Sequence, residues 1–227
     1  MKFHVLQHAE YEGPGDIAVW AEKRGHSIST SHLYRGDALP ALQDFEALII
    51  MGGEMNIYQY RDWPWLQPET EFIQTALQDG KRAVGICLGA QFLADVLGSR
   101  VVQNPVHELG WYPVTWTAES REFFPGLPSS CLVLHWHGDR FSLPKGATRL
   151  AISEGCPEQG FVIPGKALGL QFHMEVDPSL VKLYVESQGN WPTGKYVQDP
   201  GEILSQAGKH CETNRHLLHG LLDKFFA

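Results

Sequence analysis

Apolar residues recur along the first half of the chain with two alternating periods. Phe3–Leu6 reads as a strand, and Asp16–Arg24 (DIAVWAEKR) as a helix ended by Gly25. Ser27–Ser31 is a weaker second strand. Ala47–Met51 (ALIIM) is apolar throughout, as a strand buried on both faces should be. Leu66–Gln78 has helical periodicity with Gly80 where a helix ends, Ala83–Ile86 is another buried strand, and Leu88–Leu97 is a helix stopped by Gly98. Strands alternating with helices predict an α/β fold, an open, mainly parallel sheet covered by helices on both faces.

The pattern changes after residue 110. Trp111–Thr117 (WYPVTWT) alternates and contains a proline, which suits an edge or antiparallel strand. Cys131–His135, Thr148–Ser153, Gly160–Ile163 and Ala167–Phe172 read as further short strands. Two helices close the chain, Ser179–Ser187 behind Asp177–Pro178 and roughly Gly201–Phe226. No repeat or low-complexity linker interrupts it, so one domain over residues 1–227 is expected.

A net charge of −8 without a compensating Lys/Arg block excludes a nucleic-acid partner. No segment reaches the roughly 20 apolar residues that span a bilayer. The first residues, MKFHVLQHAEYEGPG, break any signal-like apolar run with His4, Gln7 and His8. The four cysteines, at 87, 131, 156 and 211, form no C-x-x-C pair, so reduced thiols in a cytoplasmic protein are expected.

Cys87 is set apart by its surroundings. In AVGICLGAQFLADVLG a buried strand runs straight into a helix, with Cys87 at the junction and glycines two residues to either side. G-x-C-x-G is the thiol counterpart of the G-x-S-x-G nucleophile elbow. So sharp a turn strains the central residue and leaves no room for a Cβ two positions away. It also aims the side chain at the carboxyl edge of the sheet, where open α/β folds form their crevice. A helix N-terminus favours thiolate, the form that attacks a carbonyl carbon.

His173 leaves the end of the strand LGLQF, and Glu175, two residues on, projects to the same side in extended chain. That glutamate can hold one imidazole nitrogen while the other faces the thiol. Asp177 shares that side, but Asp177–Pro178 has the form of an N-cap followed by proline at the first helical position. Glu175 is therefore the expected orienter. His135 and His137 form an H-x-H pair, but no third ligand stands nearby in sequence and Asp139 alone does not complete a metal site. No metal is expected, and His4, His8, His26, His32, His107, His210, His216 and His219 are assigned structural or solvent-facing places. Attack on an amide creates an oxyanion that needs preorganised donors. The N–H of Leu88 is one candidate, and Gly52–Gly53, directly after ALIIM, supplies another.

The segments MGGEMNIY, GICLGAQFLADVLGSRV, ELGWYPV, HWHGDRF and LGLQFHMEV occur in the order seen in class I glutamine amidotransferases. The chain most resembles stand-alone members similar to the amidotransferase domain of GMP synthase, from about Phe3 to Val185 and less clearly beyond. The resemblance implies a flavodoxin-like sheet with additional antiparallel strands and a Cys87–His173–Glu175 triad acting on glutamine without a cofactor. By position, Gly53 and Leu88 would form the oxyanion hole and Gln91 would contact bound glutamine. The loop Trp136–His137–Gly138–Asp139 would hold the substrate's α-carboxylate end through its backbone. One departure is that family members commonly read G-G-P where Glu54 follows Gly53 here; this carboxylate is expected to point away from the hole.

The expected partners are thus a small molecule, glutamine or a γ-glutamyl compound, and a separate synthetase that accepts ammonia. A self-sufficient hydrolase of a γ-glutamyl amide is the alternative, and a non-catalytic regulatory module on the same fold a third. The aromatic loop holding Tyr58, Trp63 and Trp65 suits either a partner surface or a substrate lid.

Overall fold

Short connections between apolar strands and amphipathic helices leave each strand only a parallel place beside an earlier one. A computed structural model describes all 227 residues. In chain order, β1 (Lys2–Gln7), α1 (Gly15–Lys23), β2 (Ser27–His32), β3 (Ala47–Ile50), α2 (Leu66–Gln78), β4 (Arg82–Ile86) and α3 (Leu88–Val96) form the first half. The second half comprises β5 (Val101–Trp116), α4 (Ala118–Phe123), β6 (Ser130–Phe141), β7 (Thr148–Ile152), β8 (Gly160–Ile163), β9 (Ala167–Leu170), α5 (Pro178–Ser187), β10 (Tyr196–Val197) and α6 (Pro200–Phe226).

All ten strands join one sheet in the order β10-β5-β7-β8-β9-β4-β3-β1-β2, with β6 paired to β5 off this path. The strands β2, β1, β3, β4 and β9 run parallel, whereas β9-β8-β7-β5-β6 are antiparallel. This is a mixed α/β fold with a large sheet flanked by helices. Strand β3 shows how the apolar run decides the layering. Ala47 and Ile49 face a cluster built from α1 and α6, and Leu48 and Ile50 face one built from α2 and α3. A third cluster seats α5 and α6 against β5 and β6 through Leu109, Trp111, Leu134, Val181 and Ile203.

Three segments depart from expectation. Strand β5 starts ten residues before Trp111, because β6 imposes extended structure on VVQNPVHELG despite its proline and weak alternation. Residues 136–139, expected in a loop, lie inside β6. Their pairing breaks there: Gln103 stands opposite Asp139 and Glu108 opposite His137, so the four residues Asn104–His107 bulge across from Gly138 alone. Strand β9 ends at Leu170 rather than Phe172. Its partner β4 stops there, with Cys87 N–H donating to Leu170 O at 2.7 Å, and His173 crosses to Leu134 of β6 instead.

Candidate active site

Strand β4 delivers Cys87 to the carboxyl edge of the parallel strands and α3 begins immediately after it. Cys87 has φ 50° and ψ −107°, and no other residue except glycine has positive φ. The turn is possible because its flanking residues are glycines. A Cβ on Gly85 would lie 2.3 Å from Gly89 O, and one on Gly89 would lie 2.0 Å from Ile50 O.

His173 reaches Cys87 from the other side of the edge, close enough for each to shift the other's titration, while Cys87 Sγ donates to Trp136 O at 3.7 Å. Nδ1 of His173 donates to Glu175 Oε1 at 2.7 Å, with both side chains about fully buried. Asp177 is occupied elsewhere, accepting from the N–H groups of Ser179 and Leu180 at 2.7 and 2.8 Å as the cap of α5. Gly53 and Leu88 both border a cavity of about 350 Å³ above Cys87. Leu88 N–H opens α3, where helical geometry offers it no acceptor. Both loop glycines are sterically required. A Cβ on Gly52 would lie 1.8 Å from Glu12 Oε2, and one on Gly53 2.4 Å from Met55 Sδ and 2.8 Å from Leu88 Cδ2. Glu54 is exposed at the rim, where its Oε2 accepts from Tyr11 at 3.4 Å.

The remaining positions named from sequence also border this cavity. Gln91 donates to Gln171 Oε1 at 3.2 Å, and Gln171 Nε2 lies 3.6 Å from Cys87 Sγ. Asp139 accepts from Tyr58 at 2.9 Å, which ties the aromatic loop to the site. A Cβ on Gly138 would lie 2.7 Å from the ring of His107, an exposed side chain that would have to turn aside. His137 Nδ1 meets Asp139 O at 3.0 Å, and its Nε2 lies 3.1 Å from Glu108 Oε2.

Glu108 was missed in the sequence because β5–β6 pairing brings it to His137 from 29 residues away. Donor atoms of Glu108, His135 and His137 lie within 4.8 Å of one another, which supplies the third ligand type that spacing alone lacks. The carboxylate is nevertheless saturated: Oε1 accepts from Ser153 at 2.6 Å, and Oε2 from Gln159 at 2.7 Å besides facing His137. Burial holds His135 neutral, its pKa depressed to about 4. Glu108 thus ties His137 to Ser153 and Gln159 beside the bulge, whereas both ring nitrogens of His135 are buried without a hydrogen-bond partner.

Three further groups at the site were not anticipated. Tyr184 of α5 places its hydroxyl 3.2 Å from His173 Nδ1. Glu12, in the β1–α1 connection, is buried beside Gly52 and the His173 ring. His8, assigned a merely structural place, lies beneath the glycine pair with Glu69. The signal for Glu12 and His8 was their position just after β1, at the same edge of the sheet where a crevice forms.

Charge at Cys87 runs against the helix-terminus expectation. Burial pushes the thiol up, His173 pulls it down, and Glu12 and Glu175 push it up again. Burial opposes charge on His173, but Glu175 and Cys87 overcome it and raise the imidazole well above its usual range. Burial lifts Glu12 to about 7, with His173 lowering and Glu175 raising it. Burial and the two acids thus favour the thiol at Cys87, beside an imidazole held by Glu175.

Residues 21–187 match the glutamine amidotransferase class-I family. The chain is 37% identical over 181 residues to the glutamine amidotransferase-like protein YfeJ of Salmonella typhimurium, covering 77% of this chain and 76% of that protein. It is 33% identical over 183 residues to the GMP synthase of Corynebacterium jeikeium, covering 77% of this chain but 33% of the synthase. The crystal structure of a glutamine amidotransferase from Thermotoga maritima superposes with a TM-score of 0.89 at 33% identity, over 99% of this chain and 97% of that one. No helix is long and apolar enough to cross a membrane. Sequence and fold agree over most of the chain's length, and it belongs to the class I glutamine amidotransferases.

Proposed function

We propose that this chain, as a single domain, hydrolyses the side-chain amide of glutamine through a γ-glutamyl thioester on Cys87 and releases ammonia to a separate acceptor protein. The observation that carries this reading is that Cys87 lines an open cavity while the buried His173–Glu175 pair, brought from a distant segment, stands behind it. His173 accepts the Cys87 thiol proton as sulfur attacks the amide carbon. The carbonyl oxygen becomes an oxyanion held by the N–H groups of Gly53 and Leu88. The C–N bond breaks as His173 returns the proton to the departing nitrogen, giving ammonia. His173 then takes a proton from water, hydroxide attacks the thioester, and glutamate leaves as the thiol reforms. Glu175 keeps the ring oriented throughout.

The bulged backbone at His137, Gly138 and Asp139 fits the α-carboxylate end of the substrate, and Gln91 braces the same wall through Gln171. A cytoplasmic setting accords with four unpaired cysteines. The matched region spans about a third of the length of the Corynebacterium jeikeium GMP synthase.

Incubation with a glutamine-derived chloroketone followed by mass spectrometry tests the reading. One adduct on Cys87, absent from Cys87→Ala, is expected; an unlabelled Cys87 would favour a non-catalytic module. A second reading has its own observation. Four carboxylates, Glu12, Glu54, Glu108 and Asp139, border the cavity and no Lys or Arg does, an environment suited to an amine-bearing γ-glutamyl amide. Fast partner-free turnover of γ-glutamyl amines, with negligible turnover of glutamine, would select it.

A further inference from the structure

Gly52 and Gly53 are the two residues of the site least able to hold their own orientation, because neither has a side chain and glycine backbone rotates freely. The peptide between them is trans, so its carbonyl and its N–H point in opposite directions. The carbonyl, Gly52 O, accepts a hydrogen bond from His8 Nδ1 at 2.9 Å. His8 is buried and stands outside the cavity lining, whereas Gly53 is part of that lining. Gly53 N–H donates to no acceptor within the protein.

The other nitrogen of His8 is held just as firmly. Nε2 lies 2.7 Å from Glu69 Oε1 of α2, and both side chains are 0% exposed. A carbonyl can only accept, so Nδ1 carries a proton, and opposite an ionised Glu69 Nε2 carries one too. Burial opposes that charge, and Glu69, the Gly52 carbonyl and Glu12 outweigh it. Trp65 stacks on the ring with centroids 5.5 Å apart and planes 9° from parallel, and Phe92 approaches at 5.9 Å. The imidazole therefore has one available rotamer. A buried ion pair is an expensive way to fill such a space, and apolar residues would stabilise the fold as well or better. What they could not supply is a donor aimed at one carbonyl.

We infer that His8 and Glu69 are positioning residues that clamp the Gly52–Gly53 peptide so that Gly53 N–H faces the Cys87 cavity. The inference rests on the reading that Gly53 serves the oxyanion. Neither residue touches substrate; the effect passes through the peptide.

Two isosteric replacements test it. In His8→Asn the side-chain amide nitrogen can occupy the place of Nδ1 and still donate to Gly52 O; in His8→Gln the amide extends toward Glu69 and the carbonyl loses its donor. Loss of one oxyanion donor lowers kcat by about 10²- to 10³-fold, so His8→Gln should lose about 10²-fold in glutamine hydrolysis with KM little changed, and His8→Asn should recover most of it. Alkylation of Cys87 by iodoacetamide, a displacement that forms no oxyanion, should proceed at the wild-type rate in both. Should His8→Gln fail to fold, Glu69→Leu keeps the imidazole but frees it, and should show a smaller loss with alkylation unchanged. Equal loss in both His8 variants, full activity in His8→Gln, or alkylation falling in parallel with turnover would each overturn the clamp. Wild-type protein that neither turns over glutamine nor takes the chloroketone would overturn the underlying reading, and the clamp with it.

Discussion

Cys87 occupies backbone angles that L-residues avoid, and this has a measurable consequence for stability. At an ordinary buried position, exchanging alanine for glycine costs about 1 kcal/mol in backbone entropy and about 0.8 kcal/mol for the lost buried methyl. Glycine should therefore be the less stable by about 2 kcal/mol in total. At φ 50° and ψ −107° a Cβ-bearing residue carries strain of about 1–3 kcal/mol, which glycine relieves. Cys87→Gly and Cys87→Ala should therefore unfold within about 1 kcal/mol of each other. For a chain of this length 1 kcal/mol corresponds to about 2–4 °C, so the two midpoints should nearly coincide instead of separating by several degrees. Both variants lack the Cys87 thiol, so its chemical modification cannot bias the comparison, and thermal scans with circular dichroism read the difference directly. A glycine variant melting well below the alanine variant would mean that the elbow is unstrained, and the steric account of G-x-C-x-G would fall with it.

Glu175→Gln should lower kcat by about 10²-fold or more, as loss of an orienting carboxylate does elsewhere, and glutamine should still protect Cys87 from alkylation; wild-type rates would show that another group orients His173. Asp177→Ala should remove about 1 kcal/mol of stability as a lost N-cap and leave the kinetic constants as they are, and a fall in kcat would transfer the orienting role to it. Glu12 titrates near 7 in the folded chain against 4.5 as its ordinary value, so its contribution to stability is complete below about 4.5 and is lost as pH rises through 7. Relative to wild type, Glu12→Gln should gain about 3 kcal/mol in urea unfolding between pH 4 and pH 8; equal differences at the two values would show that Glu12 is not buried as a carboxylic acid.

Legibility followed the range of the interactions. The elbow, the His173–Glu175 pair and the Asp177 cap are local, each defined within five residues, and their geometry could be reasoned from spacing. The parallel strands were legible because burial on both faces leaves continuous apolar runs such as ALII. Nothing local marks residues 101–110 as strand, since their extended form is set by β6. For the same reason the stretch around Gly138 read as a loop when it is a bulge in a strand pair. Glu12, Tyr184 and Glu69 come from three separate parts of the chain and meet the site only through the fold. Their sequence neighbours carry no motif, and single buried polar residues look like ordinary surface positions until the burial is known.

The electrostatics of Cys87 decide between two ways of activating a thiol. A helix N-terminus alone would favour a standing thiolate, reactive toward any electrophile that reached it. Here the sulfur is buried, and Glu12 and Glu175 lie close enough to oppose a second negative charge beside them. His173, through its own charge, and the amide of Gln171, 3.6 Å from the sulfur, favour the thiolate. The proton is thus best moved when a substrate carbonyl is in place to receive the developing charge and donors are in place to hold it. In the proposed reaction, Glu12 and Glu175 restrain the sulfur between turnovers. The same restraint makes the reaction depend strongly on oxyanion geometry, because a sulfur held as thiol gains its reactivity from stabilisation of what it forms.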